Sequence, residues 1–293
     1  CRPPWLMPGL VAAATAAVVA VPTLVLRDHR TAGIGLGNPP VKVNRDAMNI
    51  LLVGTDSLAG TERFREGARS DTMLLVHLPA DRANITAVNL PRDSMVQIAA
   101  CGSRPAYRDM LNQAYNMGGM DCAVKTVESL TRVRVDHTID LDFTSVEEVV
   151  NALGGVEVTV PEPVDDRASK LKLERGTHVL DGEKALAWIR LRHYGDGSDI
   201  SRIKRQQQVM MSMLKKARTL LDDQDELQGL LDTVKKSVKT DKGFDLDTMA
   251  GIAVGLTQSK VTFFTVPWQP DPQDKNRLVW RQPEADKLFA RFR

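Results

Sequence analysis

From Trp5 to Leu26 the chain runs for 22 residues, WLMPGLVAAATAAVVAVPTLVL, without a single charge. No other stretch restricts the fold so severely. A helix of that length is long enough to cross a bilayer, and a helix without a polar face is unusual inside a soluble domain. No A-x-A-like cleavage pattern stands out, which favours a retained signal anchor over a cleaved signal peptide. Residues 1–4 then read as the remnant of a cytoplasmic head, 5–26 as the transmembrane anchor and 27–46, polar with Gly and Pro, as a tether. Arg2 precedes the span and Arg27 and Arg30 follow it, so the positive-inside rule leaves the orientation open.

Residues 47–293 are long enough to bury one large core. With a net charge of +2 and 5% aromatics, the chain lacks the bulk basic excess of a nucleic-acid binder, and no such partner is expected. Any anion site must be a local cluster. Cys101 and Cys122 form a pair in the body of the chain, which with the anchor points to one disulfide in an oxidising compartment. Such a closure contributes about 3 kcal/mol. Two buried free thiols are the alternative. The five histidines are scattered, and neither metal-ligand spacing nor a Cys/His pairing is visible.

The apolar runs MNILLVG (48–54), TMLLVHL (72–78) and ITAVNL (85–90) predict buried strands, the last two joined by the turn residues PADRAN. DHTIDLD (136–142), VEVTV (156–160) and VTFFTVP (261–267) predict three more. Helices are expected on both sides of Gly118-Gly119, at FTSVEEVVNALGG, at LDGEKALAWIR behind Asp181, from Ser201 to Leu221, near Asp222 to Val238, at DLDTMAGIAVGLTQ and at EADKLFARF. In the longest, Ile203, Gln207, Met210, Met211, Leu214, Ala217 and Leu221 share a stripe. Mixed strands and helices without a second linker point to one α/β domain.

Charged residues gather in three loops beside these elements. The first runs from Asp56 to Arg69 and Asp71, the second carries Arg92 and Asp93 in PRDS, and the third is WIRLRHYGDGSDISRIKRQQQ (188–208). The last holds Arg190, Arg192, Arg202, Lys204 and Arg205 against only Asp196 and Asp199. Like charges so close call for solvent or a counter-anion. Asp56 and Asp71 are suited to one hard divalent cation, and magnesium typically takes one or two carboxylates and completes its shell with water and phosphate. The arginine forks match the same phosphate. Arg202 and Gln206, four apart, project from one face of the long helix, whose N-terminus also favours an anion. Lys204 and Arg205 read as solvated surface. Arg190 and Arg192 share a face only if the chain leaves its helix near Trp188 or Ile189.

The words NILLVGTDS, RSDTMLLVHL, NLPRDSMV, LNQAYNMGG, FTSVEEVVNALGGVEVTVPEPVDD, LDGEKALAWIRLRH and SDISRIKRQQQ, in this order, resemble the LytR-CpsA-Psr (LCP) family of bacterial cell-wall ligases from about Met48 to Met213. The resemblance implies a three-layer α/β/α domain with a central mixed sheet behind one N-terminal transmembrane helix. It implies a polyprenyl phosphate lipid with its tail in an apolar pocket. It also implies transfer of a secondary glycopolymer, such as teichoic acid, from polyprenyl pyrophosphate to peptidoglycan outside the cell. The family's metal carboxylates fall on Asp56 and Asp71, with magnesium or manganese as the cofactor. Its head-group residues fall on Arg69, Arg92, Arg190, Arg192, Arg202 and Gln206. Asp71, Arg69, Arg92 and Asp93 are then the catalytic candidates, with Asp93 as the base. The loop from Asp56 to Arg69 is long for the family, and Ser201 stands where glycine is common. The composition and the cysteine pair suit an actinobacterium. Two other functions compete: a polyprenyl-pyrophosphate hydrolase, and a non-catalytic lipid-binding or regulatory protein.

Overall fold

The computed structural model describes residues 39–44, 46–55, 70–191, 194–220, 223–244, 248–249, 251–252 and 259–293. The expected membrane anchor, most of the tether, Asp56, Arg69, Arg192 and most of the helix expected after Phe244 lie outside these residues. Among the described residues no helix is long and apolar enough to cross a membrane.

β1 (Met48–Thr55) is apolar at consecutive positions because both of its faces are covered. Leu51 and Val53 enter one core and Ile50 the other. β1 pairs antiparallel with β2 (Ser70–Leu78) and parallel with β6 (His137–Leu141). β2 pairs antiparallel with β3 (Asn84–Asn89), which runs parallel to β12 (Lys260–Thr265). With the short β11 (Lys239–Thr240) antiparallel to β6, the order is β11-β6-β1-β2-β3-β12, a mixed sheet.

The Leu51 face packs on α1 (Asn112–Thr131) through Ala123, Val124 and Val127, and on α6 (Glu284–Phe289) through Phe289. On the other face, α4 (Asp199–Thr219) and α5 (Gln224–Ser237) lie over Ile139 of β6. A second core joins α2 (Phe143–Ala152), α3 (Gly182–Arg190) and α4 to the hairpin of β7 (Val156–Val160) and β10 (Gly176–Leu180), and to that of β8 (Val164–Asp166) and β9 (Leu171–Leu173). Its centre is Trp188, with Val150, Val158, Leu180 and Val209. α3 starts so close to α2 that a Cβ on Gly182 would sit 2.4 Å from the Glu147 carbonyl oxygen.

Several expectations shift. α1 is helical on both sides of a break at Gly118 and Gly119, as its glycines imply. Cys101 and Cys122 form a disulfide, with Cα atoms 5.6 Å apart, so the thiol alternative falls. The bridge lies over that break, and a Cβ on Gly118 would be 2.5 Å from the Cys122 Cβ. The long helix begins at Asp199 rather than Ser201 and buries Ile203, Arg205, Gln206, Val209 and Ser212, whereas Met211 is exposed. The expected stripe holds in part: Ile203 is buried, and Leu214 and Ala217 line an apolar cavity. Four hairpin strands were not expected, each only three or four residues long: β4 (Met95–Ile98) with β5 (Tyr107–Met110), and β13 (Trp268–Pro270) with β14 (Leu278–Trp280).

His77 on β2 titrates with the fold. It donates from Nδ1 to Asn49 Oδ1 at 2.7 Å and stacks on Phe292 at 4.6 Å. Burial, aided by the charge of Arg82, lowers its pKa from 6.5 to about 4. Below pH 6.5 the unfolded chain binds a proton that the folded chain refuses. Stability is therefore whole above pH 6.5 and falls as the pH drops towards 4, by roughly 3 kcal/mol in all. Urea titrations at pH 7.5 and pH 4.5 should show this loss, and His77→Gln should flatten it. An equal slope in the variant would assign the loss to other groups.

Candidate active site

The start of β2, the turn after β3, the first turn of α4 and the loop before β14 bring three arginines and three aspartates together. Arg92 follows β3 in a tight turn, where the Ser94 N–H donates to Pro91 O at 3.1 Å and the Asn112 N–H donates to Arg92 O at 3.2 Å. The turn aims the guanidinium at the start of β2, where Nη1 donates to Asp71 Oδ1. Arg92 Nε lies 3.4 Å from Asp199 Oδ1 and 3.8 Å from Asp93 Oδ1. Arg202, one turn into α4, donates to the same Asp199 oxygen. Arg277, just before β14, lies 3.6 Å from Asp93 Oδ1.

The centre of this network is secluded. The side chains of Asp199 and Arg202 are 9% and 12% exposed. Burial raises the Asp199 pKa, reinforced by Asp93 and Asp71 and opposed by Arg202 and Arg92. Burial likewise lowers that of Arg202, which stays charged at any working pH. Four buried polar atoms here have no hydrogen-bond partner among the described residues: Arg92 Nε, Arg202 Nε, Asp199 Oδ2 and Gln206 Oε1. Each such atom costs about 1–3 kcal/mol, so their concentration at one point marks a place organised for a polar ligand.

The arginines were read as cations short of counter-charge. The structure supplies much of it from within: Asp71 comes from the start of β2, Asp93 from the turn after β3 and Asp199 from the start of α4. Asp199 was the missed member, and its spacing of three residues from Arg202 on a helix was the available signal. Arg205, read as solvated surface, is buried, and its guanidinium donates to the carbonyl oxygens of Leu191 and Tyr194. It thereby ties α4 to the residue after α3 and to Tyr194. Lys204 is exposed, as expected. α3 continues through Arg190, which stacks on Phe143 with Cζ 4.3 Å from the ring centre and makes no ion pair with the described residues of the cluster. Gln206 is buried on the Arg202 face of α4, as its spacing predicted. The helix N-terminus is already capped: Ser198 Oγ accepts from the Ser201 N–H at 3.1 Å, and Asp196 accepts from Ser198 and Ser201. Those bonds hold the Asp196 pKa at about 2.

Further along α4, Leu214 and Ala217 line an apolar cavity of about 210 Å³ with Leu227, Leu231 and Val234 of α5, and with Ile139 and Phe244. Twelve residues of helix separate Arg202 from Leu214, about 18 Å. One helix thus has a charged cluster at its first turn and a greasy pocket near its end.

Among the described residues no group of three or more His, Cys, Asp or Glu is arranged to hold a metal. Magnesium needs only one or two carboxylates. Asp71 uses Oδ1 on Arg92 and leaves Oδ2 without a hydrogen bond to any described residue, so it fits as one ligand.

The LytR_cpsA_psr family pattern matches residues 27–292. Polyisoprenyl-teichoic acid–peptidoglycan teichoic acid transferase TagT of Bacillus subtilis is 35% identical over 182 residues, covering 60% of this chain and 54% of TagT. The chain thus spans about half the length of that relative. A LytR-Csp2A-Psr enzyme from Actinomyces oris superposes with a TM-score of 0.72 at 25% identity, covering 90% of this chain and 96% of that one. TagT bound to LIIa-WTA superposes with a TM-score of 0.67 at 27% identity, covering 87% and 95%. The mixed sheet, the arginine–aspartate cluster and these matches together place the chain in the LytR-CpsA-Psr family.

Proposed function

We propose that this chain is a membrane-anchored phosphotransferase, with its catalytic domain outside the cytoplasm. It moves a cell-wall glycopolymer from a polyprenyl-pyrophosphate carrier to peptidoglycan and forms a phosphodiester. One observation carries the reading. Arg202, whose buried Nε–H has no partner among the described residues, stands on the same helix as an apolar cavity, which suits a ligand with a phosphate head and a hydrocarbon tail. The relatives named for teichoic acid transfer, including TagT bound to LIIa-WTA, support the same chemistry.

In this reading an acceptor hydroxyl attacks the phosphorus that bears the polymer sugar. The new O–P bond forms as the P–O bond to the lipid phosphate breaks, and polyprenyl phosphate departs. Asp93, more exposed than Asp199 at 26% against 9%, takes the hydroxyl proton. Arg92 and Arg202 face the charge that builds on the phosphoryl oxygens, and such positioned charge is the main lever in phosphoryl transfer. Arg69, Arg190, Arg192 and Gln206 complete the head-group contacts. Magnesium, held by Asp71 and Asp56, would neutralise further phosphate charge.

The test is turnover of a synthetic polyprenyl-pyrophosphate-linked glycan with peptidoglycan oligomers and Mg²⁺, following released polyprenyl phosphate and linked product. Wild type should form both in equal amounts, and Asp71→Asn should lose about 10²-fold or more. Release without linkage would make the protein a hydrolase. Tight lipid binding without turnover would make it a binding protein.

A further inference from the structure

Arg277 lies outside every motif that carried the functional reading, yet it stands at the edge of the cluster. Its guanidinium is 3.6 Å from Asp93 Oδ1, the oxygen that Arg92 Nε approaches at 3.8 Å. Its other ion pair, with Asp274, is 3.9 Å long. Neither is a hydrogen bond, so the five N–H donors of Arg277 have no acceptor among the described residues. The side chain is 36% exposed, open to a ligand from solvent.

An ordinary surface arginine would sit on a loose loop, and this one does not. The Arg277 N–H donates to Asp274 O at 2.8 Å, and its carbonyl accepts from the Asp271 N–H at 2.9 Å. Asp271, buried at 1% exposure, accepts from Arg108 at 2.5 Å, while Arg108 also donates to Gln273 at 3.0 Å. The hairpin is tied to the Arg92 turn by a bridge between Ser94 and Leu278, and Trp280 Nε1 donates to Ser94 Oγ at 3.2 Å. Arg108 is thus spent on bracing the loop, and Arg277 is the guanidinium left with donors to give. Exposed Lys275 adds a second cation on the same loop.

We infer that Arg277 is a further anion-binding residue, which takes an oxyanion on the transferred or the accepting glycan beside the pyrophosphate held by Arg92 and Arg202. The inference rests on the proposed transferase reading and deepens it. The oxyanion is either a phosphodiester on the donor's glycan or a carboxylate on the acceptor's peptide stem. A fork of parallel N–H groups matches both.

Calorimetry with wild type, Arg277→Ala and Arg277→Gln distinguishes these cases. The donor probe is a soluble short-chain prenyl-pyrophosphate disaccharide in two forms, with a phosphodiester or a free hydroxyl on its second sugar. The acceptor probe is a peptidoglycan fragment with free or amidated stem carboxylates. Both variants should weaken one anionic probe about tenfold and its neutral counterpart less than twofold. The donor pair or the acceptor pair, whichever shows the difference, names the source. Equal weakening of charged and neutral probes would mean that Arg277 acts only by positioning Asp93, and no weakening would mean that it is solvated surface; either overturns the inference alone. Wild type that binds neither donor form would overturn the transferase reading and the inference with it.

Discussion

Arg92→Ala should lower turnover of the lipid-pyrophosphate donor by about 10³-fold, at the upper end of what one stabilising donor supplies. Its guanidinium works in two directions at once, with Nη1 on Asp71 and Nε between Asp199 and Asp93. Lysine offers a point charge on a flexible stem, so Arg92→Lys should recover little. Asp199 retains Arg202 in both variants, so the fold should persist. Single-turnover rates at saturating donor, with a thermal melt as control, give the answer. A variant within tenfold of wild type would remove Arg92 from the centre of the chemistry.

Trp188→Ala should cost about 3–5 kcal/mol, the range for emptying a buried aromatic site. Trp188 is 1% exposed at the centre of the second core, and its ring lies 5.3 Å from that of Tyr194. Arg205 lies over the other ring of that pair, 5.8 Å from its centre, and bonds the carbonyls beside it. Loss of the indole should therefore loosen the segment between α3 and α4 as well as the core. The Trp188 Nε1–H has no partner among the described residues, so Trp188→Phe removes an unpaired donor along with part of the ring and should cost much less. Urea midpoints of the two variants under oxidising conditions decide this. A loss under 1 kcal/mol for alanine would mean that the second core collapses around the gap.

The sheet was legible because strands covered on both faces must be apolar throughout, as in MNILLVGT. The helices with capping acids were legible too: Asp142 caps α2 and Asp181 caps α3, each accepting from a backbone N–H three residues on. The short hairpins were not, since strands of three or four residues are too short to show a period. In the site, spacing placed Arg202 and Gln206 on one buried face of α4, whereas the Arg92–Asp199 pair joins residues far apart in the chain and left no local trace. Arg205 was misread for another reason. A buried guanidinium looks like a solvated one in sequence until its carbonyl partners are known. Arg277 belongs with these, because its approach to Asp93 depends on a hairpin whose docking no single segment encodes.

The parallel pairing of β12 with β3 sets Lys260 opposite Asn84, about 175 residues earlier in the chain. Such remote pairing forms late, after the entropy of closing so long a loop has been met. Arg92 leaves the end of β3 and Arg277 follows β12 in the chain, so Arg277 reaches Asp93 only when that strand arrives. Asp71, Arg92, Asp199 and Arg202 all precede β12, so the centre of the cluster does not wait for it. The Arg277 edge of the cluster thus depends on an edge strand of the sheet, and loosening of that strand would detach this edge while leaving the centre in place.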